Sequence, residues 1–301
     1  MSSIAIFLVL LSAFMHAGWN LLSKRVSPSA GFFLLTTLPG LLVLVPVAIL
    51  NRDLLNGMSQ AVWILLIVAG FFQAVYFSGL AGAYRSGDMS IAYPLARAVP
   101  VLLVMLISLL RGRGEQLTPL GLVGMLLVVI GCIILPLVRL RSFHPQRYIN
   151  PATGFALVAA LGTTGYSITD DAALRMLRQA PEMPSVLQVT LLYILLEILT
   201  TAIWLLVFIL LRKESRASLR DTVRQKAPRA FLAGLVITTT YLLVLISLAF
   251  VRDVSYVVAF RQVSILVGTL LGVLVLKEAS HPPKFIGVGL IFCGLVLVAL
   301  G

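Results

Sequence analysis

Acidic side chains are scarce in this chain: 11 Asp and Glu stand among 301 residues, against 23 Lys and Arg. Charged residues of both signs make up only 11% of it, where a soluble chain carries about a quarter. With 60% of residues apolar and a mean hydropathy of +1.05, a soluble globule is excluded. The apolar residues come in long blocks separated by short basic loops, a pattern that a bilayer requires because each crossing takes roughly 20 apolar residues. Cysteine is equally rare. Cys132 and Cys293 each lie inside an apolar block, without the spacing of a disulfide framework or a metal site.

Motifs of chemistry are missing too. The chain has no H-E-x-x-H, no G-x-S-x-G and no Walker loop, which leaves a membrane enzyme without a nucleophile or metal and a primary pump without a nucleotide site. No catalytic residue, metal or cofactor is therefore expected. The net charge of +12 sits in the loops and is not interleaved with aromatics, so the expected partner is anionic lipid rather than nucleic acid. The first apolar block lacks a basic start and a small-x-small cleavage site, and is expected to stay as a helix.

What the chain does have is ten apolar blocks, near residues 4–22, 31–50, 61–84, 89–110, 117–138, 151–170, 185–211, 228–251, 254–276 and 283–300. Runs of this length satisfy their own backbone in lipid only as helices, and the alternating ten-residue segments of a β-barrel are absent. Ser27-Pro28, Thr118-Pro119, Asn150-Pro151 and Pro282-Pro283 mark helix starts.

The two ends of the chain repeat each other. Laying the stretch from Asp88 on that from Asp253 pairs Arg97 with Arg261, Glu115 with Glu278, Gly124 with Gly287 and Gly131 with Gly294, with little drift in offset. The expected fold is all-α and integral to the membrane: ten transmembrane helices as two five-helix repeats, residues 1–138 and 151–301, joined by a linker at 139–150. Because five is odd, the second unit enters from the opposite face, giving an inverted repeat around a midplane site and a basis for alternating access. Loops after the odd-numbered blocks hold fifteen Lys and Arg and those after the even-numbered ones six, which puts the odd loops in the cytoplasm and both termini outside.

The segments RGEQLTPLGLVGMLLVVIG (Arg113 to Gly131), LKEASHPPKFIGVGLIFCG (Leu276 to Gly294) and HAGWNLLSKR (His16 to Arg25) resemble the drug/metabolite transporter superfamily, EamA type. The resemblance implies a secondary transporter, an exporter or permease of a small metabolite. It also implies a central cavity between helices 1, 3, 4, 6, 8 and 9, with helix 7 at the periphery. The chain departs from the family in carrying a bare arginine on both its fourth and ninth blocks. The expected setting is the plasma (inner) membrane, as a multi-pass monomer or homodimer. A passive channel or a non-transporting scaffold is the alternative.

Arg97 and Arg261 are the sharpest site candidates. A guanidinium at a helix centre costs roughly 2.5–3.5 kcal/mol on insertion, so it faces a cavity or a partner. Each lies about 10–12 Å along its helix, and in an inverted repeat the two flank the midplane from either side, ready for a carboxylate or phosphate. The plainer alternatives are snorkelling to headgroups or pairing with Glu197. Glu197 and His16 are the candidates for proton coupling, the simplest driving ion, each with a structural role as its alternative. Trp19, Asn20, Tyr93, Tyr166, Tyr241, Tyr256 and Gln262, with Gln73 and Tyr76 behind them, fit the polar edges of a small-solute cavity, or helix–helix hydrogen bonds. Asp170 and Asp171 fall at the end of the sixth block, where Asp171 and Arg175 make an ordinary helix pair.

Overall fold

A computed structural model describes residues 1–24, 28–86, 89–137, 149–179, 185–274 and 281–301, except for the side chains at 19–24, 89–93, 95, 214, 218, 221, 272 and 274. All regular structure among these residues is helical. The elements are α1 Ser3–Lys24, α2 Ala30–Leu50, α3 Arg52–Asn56, α4 Gln60–Arg85, α5 Met89–Leu110, α6 Pro119–Ile134, α7 Pro151–Arg178, α8 Val186–Leu210, α9 Lys213–Ser247, α10 Val254–Phe260, α11 Val263–Leu274 and α12 Pro282–Leu300. Local chemistry sets their starts. Thr118 and Asn150 accept from the backbone N–H groups of Gly121 and Thr153 at 3.0 and 2.9 Å, with proline at the next position. Ser185 and Gln188 close a capping box at the start of α8.

Among the described residues six stretches are long and apolar enough to cross a membrane, and three shorter apolar helices accompany them. α7 is in neither class, because Thr163, Thr164, Ser167, Thr169, Asp170 and Asp171 lower its hydropathy. Such a helix survives in lipid only by turning its polar groups inward, and Ser167, Asp170 and Asp171 are all buried. The outer surface is the reverse: Leu42 and Phe7 are 67% and 65% exposed, a surface that suits lipid and not water. The chain is a multi-pass integral membrane protein.

Glycines set how closely the helices approach. A Cβ on Gly124 would stand 2.6 Å from the carbonyl oxygen of Gly294, and one on Gly131 would stand 2.8 Å from that of Gly287. Residue numbers rise along α6 as they fall along α12, so the two helices run antiparallel. Helix contacts also come in matched sets: α4 lies on α7 and α9 on α1, α2 on α9 and α8 on α4, α5 on α7 and α11 on α1.

Three boundaries differ from those expected of the sequence. The sixth block continues to Arg178, about two turns beyond its expected end at residue 170, because Arg175 and Arg178 find acceptors at Asp171, the Arg252 carbonyl and the Leu245 carbonyl. The eighth begins at Lys213, where the basic stretch extends the helix ahead of the Thr222–Phe250 span. The ninth, expected to be continuous, breaks at Arg261–Gln262. There the bonds shorten to three-residue steps, Gln262 N–H to Ala259 and Ile265 N–H to the Gln262 carbonyl, and Arg97 on α5 donates across to the Arg261 carbonyl at 3.1 Å and to the Ser264 hydroxyl. Irregular backbone is tolerated at membrane depth when protein groups satisfy it, and Arg97 does so here.

Candidate functional site

A cavity opens among α1, α2, α4, α7, α8, α9 and the end of α10. Its walls include Gln73, Tyr76, Tyr166, Thr201, Tyr241 and Arg261. The space open to water centres is about 60 Å³, room for several waters at roughly 10–15 Å³ each on the same measure. Threonines 36, 37, 201, 238 and 240 supply hydroxyls to the wall. Those of Thr36 and Thr37 donate to the carbonyls of Phe33 and Leu34 at 2.7 Å, and that of Thr201 donates to Gln73 at 2.9 Å.

Arg261 is the one permanent charge among the lining residues. The helix break puts it there: a residue at the C-cap of α10 lies where the coil turns, and its side chain stands against three tyrosines. Its guanidinium carbon lies 5.7 Å from the centre of the Tyr241 ring, within cation–π range. Tyr166 meets Tyr241 edge-on at 5.5 Å and Tyr76 edge-on at 5.8 Å. The cation is walled by ring faces and hydroxyls, with Tyr166 as a hydrogen-bond partner, and borders the cavity.

Of the other site candidates, His16, Tyr166 and Tyr241 line this cavity together with Gln73 and Tyr76. Arg97 is not among its lining residues; its Nη2 bonds the Arg261 carbonyl and the Ser264 hydroxyl at the α10–α11 break. Tyr256 lies elsewhere, its hydroxyl accepting from the Thr118 N–H at 2.9 Å at the start of α6. Gln262 is buried away from the cavity and donates to the Val258 carbonyl at 2.9 Å. The side chains of Trp19, Asn20 and Tyr93 lie outside the described residues, as do Asp88, Glu278 and Ser280.

Glu197 is fully buried on α8, one turn from Tyr193, and neither of its carboxylate oxygens meets a donor among the described residues. No arginine pairs with it among the described residues. Nor are the second and seventh blocks peripheral, since α2 brings Thr36 and Thr37 to the cavity and α8 brings Ile194, Ile198 and Thr201.

Asp170 was readable only as a helix-end residue, yet it is completely buried. It accepts from the Tyr193 hydroxyl at 2.7 Å and from the Tyr241 hydroxyl. With Tyr241 and Arg261 it lines a second, smaller space beside the cavity. The signal for it was the density of polar residues from Thr163 to Asp171, which no lipid-facing helix carries. Its neighbour Asp171 accepts from Arg113 at 2.9 Å and Arg175 at 2.8 Å. Arg113 also lies 4.0 Å from Asp253, which caps α10 and takes the Ser108 hydroxyl at 2.9 Å. Among the described residues no three His, Cys, Asp or Glu side chains converge as a metal site.

Comparison with known proteins places this arrangement. No curated protein matches the sequence. Among the 29 matching chains of solved structures is one described only as "Crystal structure of protein", 20% identical, with a TM-score of 0.64 over 100% of this chain and 98% of its own. At that identity the likeness concerns the fold. The EamA-like transporter family matches over residues 3–137. Residues 3–137 are thus similar to the EamA-like transporter family, and the chain is a multi-pass integral membrane protein.

Proposed function

We propose that the chain is a secondary transporter that carries a small organic anion, or an amino-acid-like solute through its carboxylate, across the plasma (inner) membrane by alternating access. The single observation behind this is Arg261, a half-buried cation in a cavity otherwise lined by hydroxyls, an amide, an imidazole and apolar groups. A fork of guanidinium donors suits a carboxylate or phosphate, and the aromatic walls suit a small organic body. The arginine is offered to a solute singly, with Arg97 holding the backbone behind it.

Two inverted five-helix units, the second spanning residues 151–301, carry the alternation in this proposal. Support comes from α6 and α12, which are partners in the repeat and run antiparallel. Further support comes from the matched helix contacts, each of which maps onto another when the halves are exchanged. Two similar halves around one site give two packings of similar energy, as alternating access needs.

The test begins with purified protein and a panel of small carboxylates and phosphates, read as thermal stabilisation and repeated with Arg261→Gln. Ligands that stabilise the parent and not the variant go forward to counterflow in vesicles. Cold solute inside accelerates labelled uptake through a carrier and not through a pore or scaffold. Binding that survives Arg261→Gln, or flux without counterflow, defeats the proposal.

A further inference from the structure

We propose that Asp170 is a proton-binding site coupled to anion binding at Arg261, so that the proton and the anion cross together. This rests on the transporter reading above and names the coupling residue, its ion and the sign of the coupling.

The geometry begins with one shared ring. Tyr241 lines the solute cavity and stands beneath the Arg261 guanidinium, while its hydroxyl is given to Asp170. Asp170 and Arg261 both border the smaller space next to it. A single tyrosine therefore lies between the cation that meets the solute and a wholly buried carboxyl. Among the described residues no ion pair holds Asp170. Its direct partners are the hydroxyls of Tyr193 and Tyr241.

The remaining charged and titratable neighbours are few. α8 presents Glu197 beyond Tyr193, and α4 presents Tyr76. On α5, Arg97 is engaged at the Arg261 carbonyl. On α7 itself, Tyr166 faces the cavity, and Asp171 is held by Arg113 and Arg175. α1 presents His16 to the cavity that Arg261 lines, and Arg261, hydrogen-bonded to Tyr166, is the cation that shares the smaller space with Asp170.

An ionised carboxyl deep in a membrane protein persists only with compensating charge or strong donors. With the cavity empty, Arg261 supplies that charge. An anion on Arg261 cancels it, and Asp170 then takes a proton from hydronium: the O–H bond to the carboxylate oxygen forms as one in hydronium breaks, leaving water. Linkage is reciprocal: a protonated Asp170 leaves Arg261 without an internal counter-anion and strengthens anion binding. Two ligands that favour each other's binding load and unload as a pair. An inward proton gradient would then drive uptake, opposite to the export that the family resemblance implies.

The experiment needs only protons. Infrared spectra of the purified full-length protein in lipid vesicles, taken across a pH series, give a protonated-carboxyl band, which Asp170→Asn assigns and Glu197→Gln separates from that of Glu197. Arg261→Gln should move the Asp170 midpoint to higher pH by about one unit or more, since loss of a nearby cation makes the ionised form harder to hold. Arg261→Lys should keep it near the parent value. Tyr241→Phe should also raise it, by removing a donor to the carboxylate. If Asp170→Asn does not fold, the Arg261 and Tyr241 variants still report on the native carboxyl. An Asp170 midpoint that ignores Arg261→Gln, or no titration at Asp170, overturns the proposal. Because no flux is measured, a failure here is distinct from a failure of counterflow.

Discussion

Arg97 on α5 donates to the backbone carbonyl of Arg261 at 3.1 Å, so the first arginine of the repeat secures the helix break that exposes the second. The two are equivalent in sequence and opposite in use. Arg97→Gln removes a charge-assisted bond to a carbonyl freed by the break, a loss of about 1.5–3 kcal/mol. Arg261→Gln keeps the carbonyl and its partner and loses the contacts to Tyr241 and Tyr166, for which protonation of Asp170 compensates in part, so it should cost less. The two melting curves, run side by side, should show Arg97→Gln as clearly the less stable.

Arg113 joins the halves at one membrane face. It bonds Asp171 at 2.9 Å and lies 4.0 Å from Asp253, both nearly or wholly buried, while Arg113 itself is 29% exposed. Breaking a fully buried pair costs about 3–5 kcal/mol and a surface pair about 0–1. Arg113→Gln should therefore fall between, at roughly 1–3 kcal/mol. A double-mutant cycle with Asp171→Asn checks this: coupling below about 0.5 kcal/mol would mean that the contact contributes nothing to stability.

At the α6–α12 seam the expected effects are steric. A methyl on Gly294 would stand 2.6 Å from the Gly124 carbonyl oxygen, and one on Gly287 would stand 2.8 Å from the Gly131 oxygen, whereas a Cβ on Gly289 meets nothing within 4 Å. Gly294→Ala and Gly287→Ala should each lower the melting temperature by prying the helices apart. Gly289→Ala, on the same helix, should be neutral or stabilising by up to about 1 kcal/mol through its helix propensity. Equal effects at all three positions would remove close approach as the cause.

The glycines of that seam were legible in advance as repeat pairs, Gly124 with Gly287 and Gly131 with Gly294, but that they meet crosswise, Gly124 on Gly294 and Gly131 on Gly287, was not. Helix content and most starts were plain, because apolar runs and Ser, Thr or Asn before proline act locally. What escaped was whatever depended on a third helix. Asp170 reads as a helix end only because polarity marks the end of an apolar block, and nothing in α7 alone reveals Tyr193 and Tyr241 waiting to bond it. The break at Arg261 has no proline or glycine to announce it. The Arg261 carbonyl is met by the N–H and hydroxyl of Ser264 and by Arg97, more than 160 residues earlier.

The proposed opposite insertion of the halves makes a prediction about sides. The turn holding α3 follows α2, and the basic start of α9 follows α8, its counterpart in the second half. Asp53 and Arg216 are both exposed. With Cys132 and Cys293 replaced by alanine or serine, single cysteines at Asp53 and Arg216 should react with a membrane-impermeant maleimide from opposite faces of the membrane. The positive-inside rule puts Arg216, within the most basic stretch of the chain, on the cytoplasmic face, so it should be labelled only after permeabilisation, and Asp53 in intact cells. Labelling of both from one side would mean that the units insert in the same sense, and neither a midplane site nor alternation between equivalent halves would follow.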